Sequence, residues 1–152
     1  MSTHFKQSNQ LLILEKVLLL KSLSIFEETP ETILAEVANI LEEEDVEKNT
    51  TLFKSGDIGN CMYVIYKGEV KIHKDDHTLV ILKENDFFGE LSLLDTETRS
   101  ASATTITQAY LLKIDQEAFY ELMENRIEVA RGIIRTLCKR LRVQNQKSIE
   151  SK

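Results

Sequence analysis

The chain has 152 residues, of which 42% are hydrophobic and 29% are charged, and its formal net charge is −6. This composition is typical of a globular domain that buries its own core, and it argues against disorder. No run reaches the roughly 18 apolar residues of a membrane-spanning helix. The apolar N-terminal stretch is interrupted by Glu15 and Lys16 and has no small-residue cleavage site. We therefore expect a cytoplasmic protein without a membrane segment.

Charge is distributed unevenly along the sequence. Residues 27–47 carry nine acidic and no basic side chains, whereas residues 126–152 carry eight basic and two acidic ones. Two solvated helix surfaces would explain the pattern, and the alternatives are mutual attraction or an acidic or nucleic-acid partner. Cys61 and Cys138 lack the spacing of a metal or redox pair, so both are interpreted as buried thiols.

The first 45 residues predict helices. Residues 9–21 have helix-like apolar density, and the segment TPETILAEVANILEEE follows after a short break. In that segment Thr29 is placed to cap a helix that has Pro30 at its first position. One face of this helix is apolar and carries Ile33, Leu34, Val37, Ala38 and Leu41.

From about Val46 the pattern changes to that of β-strands. The β-rich runs are TTLF, CMYVIY, EVKIH, TLVIL, SATTIT and AYLLKI, and turn sequences such as KSGDIGN, KG and KDD separate them. Gly56, Gly59 and Gly68 are predicted in tight turns that need positive φ. This many short strands within residues 46–114 indicates a small antiparallel barrel or sandwich.

Two helices are predicted after the strands. Asp115 is a good N-cap for QEAFYELMEN, and a long helix follows. The long helix has a 3-4-3-4 repeat, as in a dimer interface, formed by Ile127, Ala130, Ile134, Leu137 and Leu141. Packing on the chain's own barrel is the alternative. Without a linker or repeat, we expect one domain over 1–152, with helices in 1–45, strands in 46–114 and helices in 115–152.

The sequence lacks the motifs of common enzymes. It has no Walker-type or dinucleotide-binding glycine loop and no G-x-S-x-G turn beside a histidine. His73 and His77 are predicted on opposite arms of a hairpin, and two histidines alone cannot complete a metal site. We therefore expect no enzymatic activity, no catalytic residue, no metal and no cofactor.

The stretch FFGELSLLDTETRSASATT carries the candidate site. Gly89 permits a sharp turn, and the next five residues suit a short helix whose free amides can bind an anion. Arg99 is a planar, bidentate partner for a phosphate, and Glu90 can accept hydrogen bonds from ligand hydroxyls.

The residues after Arg99 suit a ligand that lies against a strand. Ser100 can donate a hydrogen bond, while Ala101 and Ala103 leave space. A small phosphorylated sugar or nucleotide would fit this set. An ion pair between Glu90 and Arg99 that braces a loop is the alternative.

The segment FGELSLLDTETRSASA resembles the phosphate-binding cassette of cyclic nucleotide-binding domains, which occur in catabolite-activator-type regulators, cyclic-nucleotide-dependent kinases and gated channels. FKSGDIGNCMYVIYKGEVKI is similar to the glycine-punctuated strands of that family. The resemblance covers about residues 22–145 and implies a mainly β fold with flanking helices. That fold is an antiparallel β-roll or jelly-roll barrel with N-terminal helices, a short cassette helix within residues 87–103, and C-terminal helices.

The resemblance also implies the ligand and its contacts. The ligand-binding residues would be Gly89, Glu90, Leu91, Ser92, Arg99, Ser100 and Ala101. Glu90 would bind the ribose 2′-hydroxyl, while Arg99 and backbone amides would bind the cyclic phosphate. Ser100 favours cyclic AMP over cyclic GMP, because threonine after the arginine tends to favour guanine in this family.

The end of the last helix, KRLRVQN, resembles the helix that covers the base in the regulators. Arg140, Gln144 and Asn145 would then form a lid near the adenine edge. The alternative is that they are solvent-facing residues of a basic helix. The regulators carry threonine and serine where this chain has Gln144 and Asn145.

These observations predict a regulatory sensor module that couples occupancy to movement of the C-terminal helix. Its partners would be a cyclic nucleotide and an unknown effector protein or domain, and homodimerisation through the C-terminal helix is open. The chain stops at Lys152, without the helix-turn-helix domain of catabolite-activator-type proteins, which argues against direct DNA binding. The alternative function is a constitutive protein-interaction or scaffold domain whose pocket binds no nucleotide.

Overall fold

Ten β-strands occupy the middle of the chain in the structure, a computed structural model that describes residues 11–150. The described residues divide into a β unit, residues 11 and 40–120, and a helical unit, residues 12–39 and 121–150. The prediction for residues 9 and 10 lies outside the described residues. The prediction of one domain over 1–152 stays a prediction.

The helical unit contains the predicted N-terminal helices and the long C-terminal helix. Its elements are α1 (Ile13–Ser22), a 3₁₀ turn (Ser24–Phe26), α2 (Glu31–Asn39) and α5 (Ile127–Glu150). Most of the apolar face of α2 is confirmed, since Leu34, Val37 and Ala38 are fully buried, but Leu41 lies beyond the end of the helix. None of the helices within residues 11–150 is both long and apolar enough to cross a membrane.

The start of α2 differs from the prediction. The Pro30 carbonyl accepts hydrogen bonds from the amides of Ile33 and Leu34, each at 3.0 Å, so the helix begins one residue later than expected. Thr29 does not cap it, because its hydroxyl is buried without a hydrogen-bond partner among the described residues. This hydroxyl lies instead against Gly132 of α5.

The end of α2 was also predicted incorrectly. The helix ends at Asn39, and the acidic run that was assigned to it forms strand β1 (Glu42–Val46). Strand pairing explains the difference, because β1 lies antiparallel to β10 with Glu42 opposite Lys113. Lys113 Nζ is 3.9 Å from a Glu44 carboxylate oxygen, so β10 also supplies a cation to this acidic strand.

Two ion pairs in the helical unit join the acidic and basic segments. Arg126 Nη2 lies 2.7 Å from Glu36 Oε1, and Lys139 Nζ lies 3.9 Å from Glu27 Oε1. Part of the charge asymmetry therefore reflects mutual attraction, one of the alternatives left open by the sequence. The interpretation as two helix surfaces is wrong for residues 42–45, which lie on a strand.

The β unit is built from antiparallel strands. After β1 they are β2 (Thr51–Phe53), β3 (Ile58–Gly59), β4 (Cys61–Lys67), β5 (Val70–Lys74), β6 (His77–Leu82), β7 (Phe87–Phe88), β8 (Glu97–Thr98), β9 (Ser102–Thr105) and β10 (Ala109–Asp115). Two sheets have four strands, in the orders β1-β10-β4-β7 and β2-β9-β5-β6, and β3 pairs with β8. Helix α3 (Glu90–Leu94) lies between β7 and β8 in the chain, and α4 (Gln116–Asn125) follows β10.

The core of the β unit draws on both four-stranded sheets. Its buried members are Val46, Cys61, Tyr63, Ile65, Val70, Phe88, Ala103, Ala109 and Leu111. In β4 the alternate residues Met62 and Val64 are also fully buried, so this strand is covered on both faces. The mainly β architecture with flanking helices is confirmed.

Some of the turn and cysteine predictions are confirmed, and others are wrong. Gly56 and Gly68 have φ of 95° and 101°, as expected, but Gly59 does not have positive φ and lies in β3. His73 and His77 do lie on the two arms of the β5–β6 hairpin. Cys61 is buried, whereas Cys138 is only half-buried, which corrects that part of the prediction.

Candidate ligand-binding site

A pocket of about 420 Å³ lies in the β unit, beside α3 and β8. All the predicted ligand-binding residues line it: Gly89, Glu90, Leu91, Ser92, Arg99, Ser100 and Ala101. Four further lining residues, Phe87, Phe88, Glu97 and Thr98, belong to the stretch 87–105 but were given no role from the sequence. Phe53 and Ile72 lie outside that stretch, and the sequence did not indicate them. The structure thus brings the predicted residues together, and their roles toward a ligand stay predictions.

The short helix α3 begins as the sequence suggested. Gly89 precedes it with φ of 80°, in the left-handed region where a side chain is disfavoured. The Ser92 amide donates to the Gly89 carbonyl at 3.1 Å, and the Asp95 amide donates to the Leu91 carbonyl at 2.8 Å. The turn at Gly89 therefore directs the first turn of α3, including Glu90, to the pocket wall.

Arg99 is buried at the pocket, with 8% of its surface exposed. Its Nη1 donates to Ser92 Oγ at 3.1 Å, and its Nη2 donates to the Cys61 carbonyl at 2.9 Å. Its Nη2 also lies 3.4 Å from Cys61 Sγ. These acceptors are neutral, so they orient the guanidinium without neutralising it.

The positive charge of Arg99 has no carboxylate partner within residues 11–150. Its Nε is buried and has no hydrogen-bond acceptor among the same residues. The ion pair between Glu90 and Arg99, the alternative left open by the sequence, is therefore absent from the described structure. A buried cation with an unused donor is costly unless something else supplies negative charge.

Two glycines leave the space that Arg99 occupies. A Cβ atom on Gly59 would lie 2.5 Å from Ser92 Oγ and 2.6 Å from Arg99 Nε. A Cβ atom on Gly89 would lie 2.7 Å from Arg99 Nη1. Gly59 is thus required by close packing against the arginine, rather than by a positive φ as predicted.

The loop before β3 fixes the backbone of Arg99. The Arg99 amide donates to the Asp57 carbonyl at 2.7 Å, and the Arg99 carbonyl accepts from the Gly56 amide at 2.8 Å. The Asp57 carboxylate in turn accepts from the Lys54 amide at 2.9 Å. The segment KSGDIG therefore does more than turn the chain, because it holds the arginine beside the pocket.

Burial dominates the electrostatics next to Arg99. It raises the pKa of the Cys61 thiol, although the nearby guanidinium acts in the opposite direction. Burial is also the main reason that the pKa of Tyr63 is raised well above its ordinary value. Both groups therefore stay neutral at physiological pH and add no negative charge next to Arg99.

The candidate lid residues lie on α5 in the helical unit. Arg140 Nη2 donates to Ser24 Oγ at 2.9 Å, and Gln144 and Asn145 are exposed. Their contact with a base is untested and stays a prediction. Among residues 11–150, no group of three or more histidine, cysteine or acidic residues is placed to hold a metal ion.

The pocket has polar and apolar walls and is lined by one buried arginine. Comparison with known proteins identifies the family of the chain. Residues 43–126 match the family described as cyclic nucleotide-binding domain. This chain belongs to that family. The match covers more than half of the sequence, and it includes both the glycine-rich strands and the segment 87–103.

Two relatives of this cyclic nucleotide-binding domain are named as regulatory proteins. A CRP-like cAMP-activated global transcriptional regulator of Mycobacterium tuberculosis is 32% identical over 80% of this chain and 56% of its own length. A cAMP-dependent protein kinase regulatory subunit of Schizosaccharomyces pombe is 30% identical over 79% of this chain and 28% of its own length. The chain thus spans little more than half, or less, of these relatives.

Solved structures confirm the β-roll fold. The N-terminal domain of a transcriptional regulator from Streptomyces coelicolor A3(2) has a TM-score of 0.78 and 30% identity, covering 85% of this chain and 93% of that one. The regulatory domain of Toxoplasma gondii PKA, crystallised with cAMP, has a TM-score of 0.67 and 25% identity, covering 72% of this chain and 44% of that one. The predicted antiparallel β-roll is therefore the fold that this chain shares with these domains.

Proposed function

We propose that this domain binds cyclic AMP, in preference to cyclic GMP, as a regulatory sensor. The observation that carries the proposal is Arg99, a buried guanidinium beside the pocket with no carboxylate partner in the described chain. A cyclic phosphate diester would supply a singly charged anionic partner for Arg99. The names of the relatives from Mycobacterium tuberculosis and Schizosaccharomyces pombe support cyclic AMP as the ligand.

The remaining lining residues suit the rest of such a ligand. Glu90 would accept a hydrogen bond from the ribose 2′-hydroxyl, and the amides of α3 would donate to the phosphate together with Arg99. Ser100 would bond to the phosphate or base. Ala101, which is buried in the pocket wall, leaves room for the ligand to approach the backbone.

Ligand charge provides a specificity argument. Among the described lining residues Arg99 is the one cation, whereas Glu90 and Glu97 are carboxylates. The site therefore suits a monoanionic diester better than a dianionic monoester, because a second negative charge would meet repulsion. We expect 5′-AMP to bind more weakly than cyclic AMP.

The test is a calorimetric titration of purified protein with cyclic AMP, cyclic GMP and 5′-AMP. Arg99→Ala should cost about 2–5 kcal/mol of cyclic AMP binding, by analogy with truncating one partner of a buried charge pair. Arg131→Ala, which removes an exposed arginine of α5, is the matched control and should bind as the wild type does. An unchanged affinity in Arg99→Ala would remove the assigned role.

Absence of binding by the wild type would favour the other function, an interaction domain with an unused pocket. A thermal-shift assay gives an independent measure of the same outcome. Ligand at 100 times its dissociation constant should stabilise the fold by about 2.7 kcal/mol.

We propose further that occupancy is coupled to the position of α5, with Arg140, Gln144 and Asn145 as the lid. An effector protein or domain would respond to this movement of α5.

The apolar stripe of α5 also supports self-association, because Ile127, Ile134 and Leu141 are each more than half exposed. Sedimentation velocity at several protein concentrations tests self-association, and a monomer at every concentration would reject the homodimer.

A further inference from the structure

The ring of Phe53 lies against the guanidinium of Arg99. The Cζ atom of Arg99 is 4.1 Å from the ring centroid, well within the distance of a cation–π contact. Phe53 ends strand β2, far from Arg99 in the sequence, and both residues line the pocket. The contact therefore depends on the tertiary fold.

Phe53 is itself held in an aromatic cluster. Its ring centroid is 6.0 Å from that of Phe88 and 6.4 Å from that of Tyr63, and the last two are 5.2 Å apart. Tyr63 and Phe88 are buried, so they give the Phe53 ring a fixed support. The ring can thus act as a rigid surface for the guanidinium.

Other parts of the guanidinium are also in close contact with the protein, although Arg99 still lines the pocket. Gly59 and Gly89 approach it so closely that neither position has room for a Cβ atom. Ser92 Oγ and the Cys61 carbonyl accept its Nη hydrogens, while Nε has no acceptor within the described chain. Because Arg99 has few acceptors and no carboxylate partner among residues 11–150, the negative face of the Phe53 ring adds electrostatic stabilisation to this buried charge.

We propose that Phe53 is a positioning residue, which holds Arg99 in its binding orientation before a ligand enters. The inference deepens the proposed function and rests on it. The face of an aromatic ring is electron-rich, so Phe53 has no direct attraction for a phosphate. Its contribution to nucleotide affinity therefore passes through Arg99.

A double-mutant cycle tests this dependence. Phe53→Leu keeps an apolar side chain but removes the ring, and it should weaken cyclic AMP binding about 2- to 30-fold, the range that cation–π energies correspond to. In an Arg99→Ala background the same change should have no further effect. Phe53→Tyr keeps the ring and should restore most of the affinity.

Additive losses in the cycle would overturn the proposal, because they would show that Phe53 acts independently of Arg99. Melting temperatures of all variants identify any general loss of folding. If Phe53→Leu does not fold, Phe53→Met replaces it in the cycle with the same expectation.

A measurement without nucleotide separates this inference from the proposed function. In a ¹H–¹⁵N NMR spectrum the Arg99 Nε–H signal should be shifted by the Phe53 ring current in the wild type and in Phe53→Tyr. It should move in Phe53→Leu but not in Phe87→Leu, which removes another ring that lines the pocket. A signal unchanged by Phe53→Leu would reject the positioning role, even if the wild type binds cyclic AMP.

Discussion

At the scale of single residues, Glu90 and Arg99 divide the proposed recognition between sugar and phosphate. Glu90→Gln should weaken cyclic AMP binding by about 1.5–3 kcal/mol, the usual contribution of a hydrogen bond to a charged group. The same variant should bind 2′-deoxy cyclic AMP as the wild type does, because that ligand lacks the hydroxyl. Calorimetry with both ligands measures the difference, and equal losses for the two would place Glu90 elsewhere.

Cys61 links the site to the alkaline limit of stability. Burial raises the pKa of its thiol above the ordinary value of 9.0, so the folded state keeps the proton to higher pH than the unfolded state does. Its contribution to stability is therefore complete below pH 9 and is lost as the pH rises through the folded pKa. Tyr63 acts in the same direction from its ordinary value of 10.0 upward.

We therefore expect the free energy of unfolding to fall as the pH rises above about 9. Between pH 9 and 10 this fall in the free energy of unfolding should be smaller in Cys61→Ala. That variant is less stable to begin with, but it lacks the titrating thiol. Denaturant unfolding at a series of pH values gives the slopes. Identical slopes in the two proteins would exclude Cys61 as a source.

At the scale of elements, α5 packs on the Thr29 turn within the helical unit through a glycine. A Cβ atom on Gly132 would lie 2.5 Å from Thr29 Oγ1 and 3.2 Å from Thr29 Cα. Gly132→Ala gains about 1 kcal/mol in helix propensity, but overpacking costs about 1–3 kcal/mol. Because Thr29 is fully buried and a backbone atom is involved, we expect net destabilisation.

Denaturant unfolding of Gly132→Ala measures this effect. Thr29→Ala in the same chain removes the atom nearest to the new methyl group and should restore much of the loss. Since the Thr29 hydroxyl already lacks a hydrogen-bond partner among the described residues, its removal leaves no acceptor unsatisfied. A Gly132→Ala variant as stable as the wild type would show that α5 and the turn can separate at little cost.

At the scale of the whole molecule, the net charge of −6 opposes an anionic ligand, but salt screens charges beyond roughly 8 Å. We therefore expect Arg99 and the nearby amides to dominate the proposed binding. Hydrogen exchange with cyclic AMP should slow at residues 89–93 and 99–101. If occupancy is coupled to α5, exchange should also change near residues 140–145. Slowing at the pocket alone would reject coupling and leave binding intact.

Much of the fold and site could be predicted because the signals are local. Apolar periodicity placed α1, α2 and the main strands, and the Gly89 turn indicated a short helix beside Arg99. Predictions that depend on a partner strand or on a residue distant in sequence were wrong. Residues 42–45 have a helix-like sequence, but pairing with β10 makes them a strand. Thr29 has the residue type and position of a helix cap, but its side chain packs against Gly132 instead.

The sequence by itself determined the family, most of the helices and strands, and seven of the residues that line the pocket, because short motifs encode local turns. Only the tertiary structure decided how Arg99 is held. Gly59, Cys61 and Phe53 contact the guanidinium from three separate strands. Their spacing along the chain does not predict these contacts. The physical reason is that packing around a buried charge depends on distances between atoms that are remote in sequence.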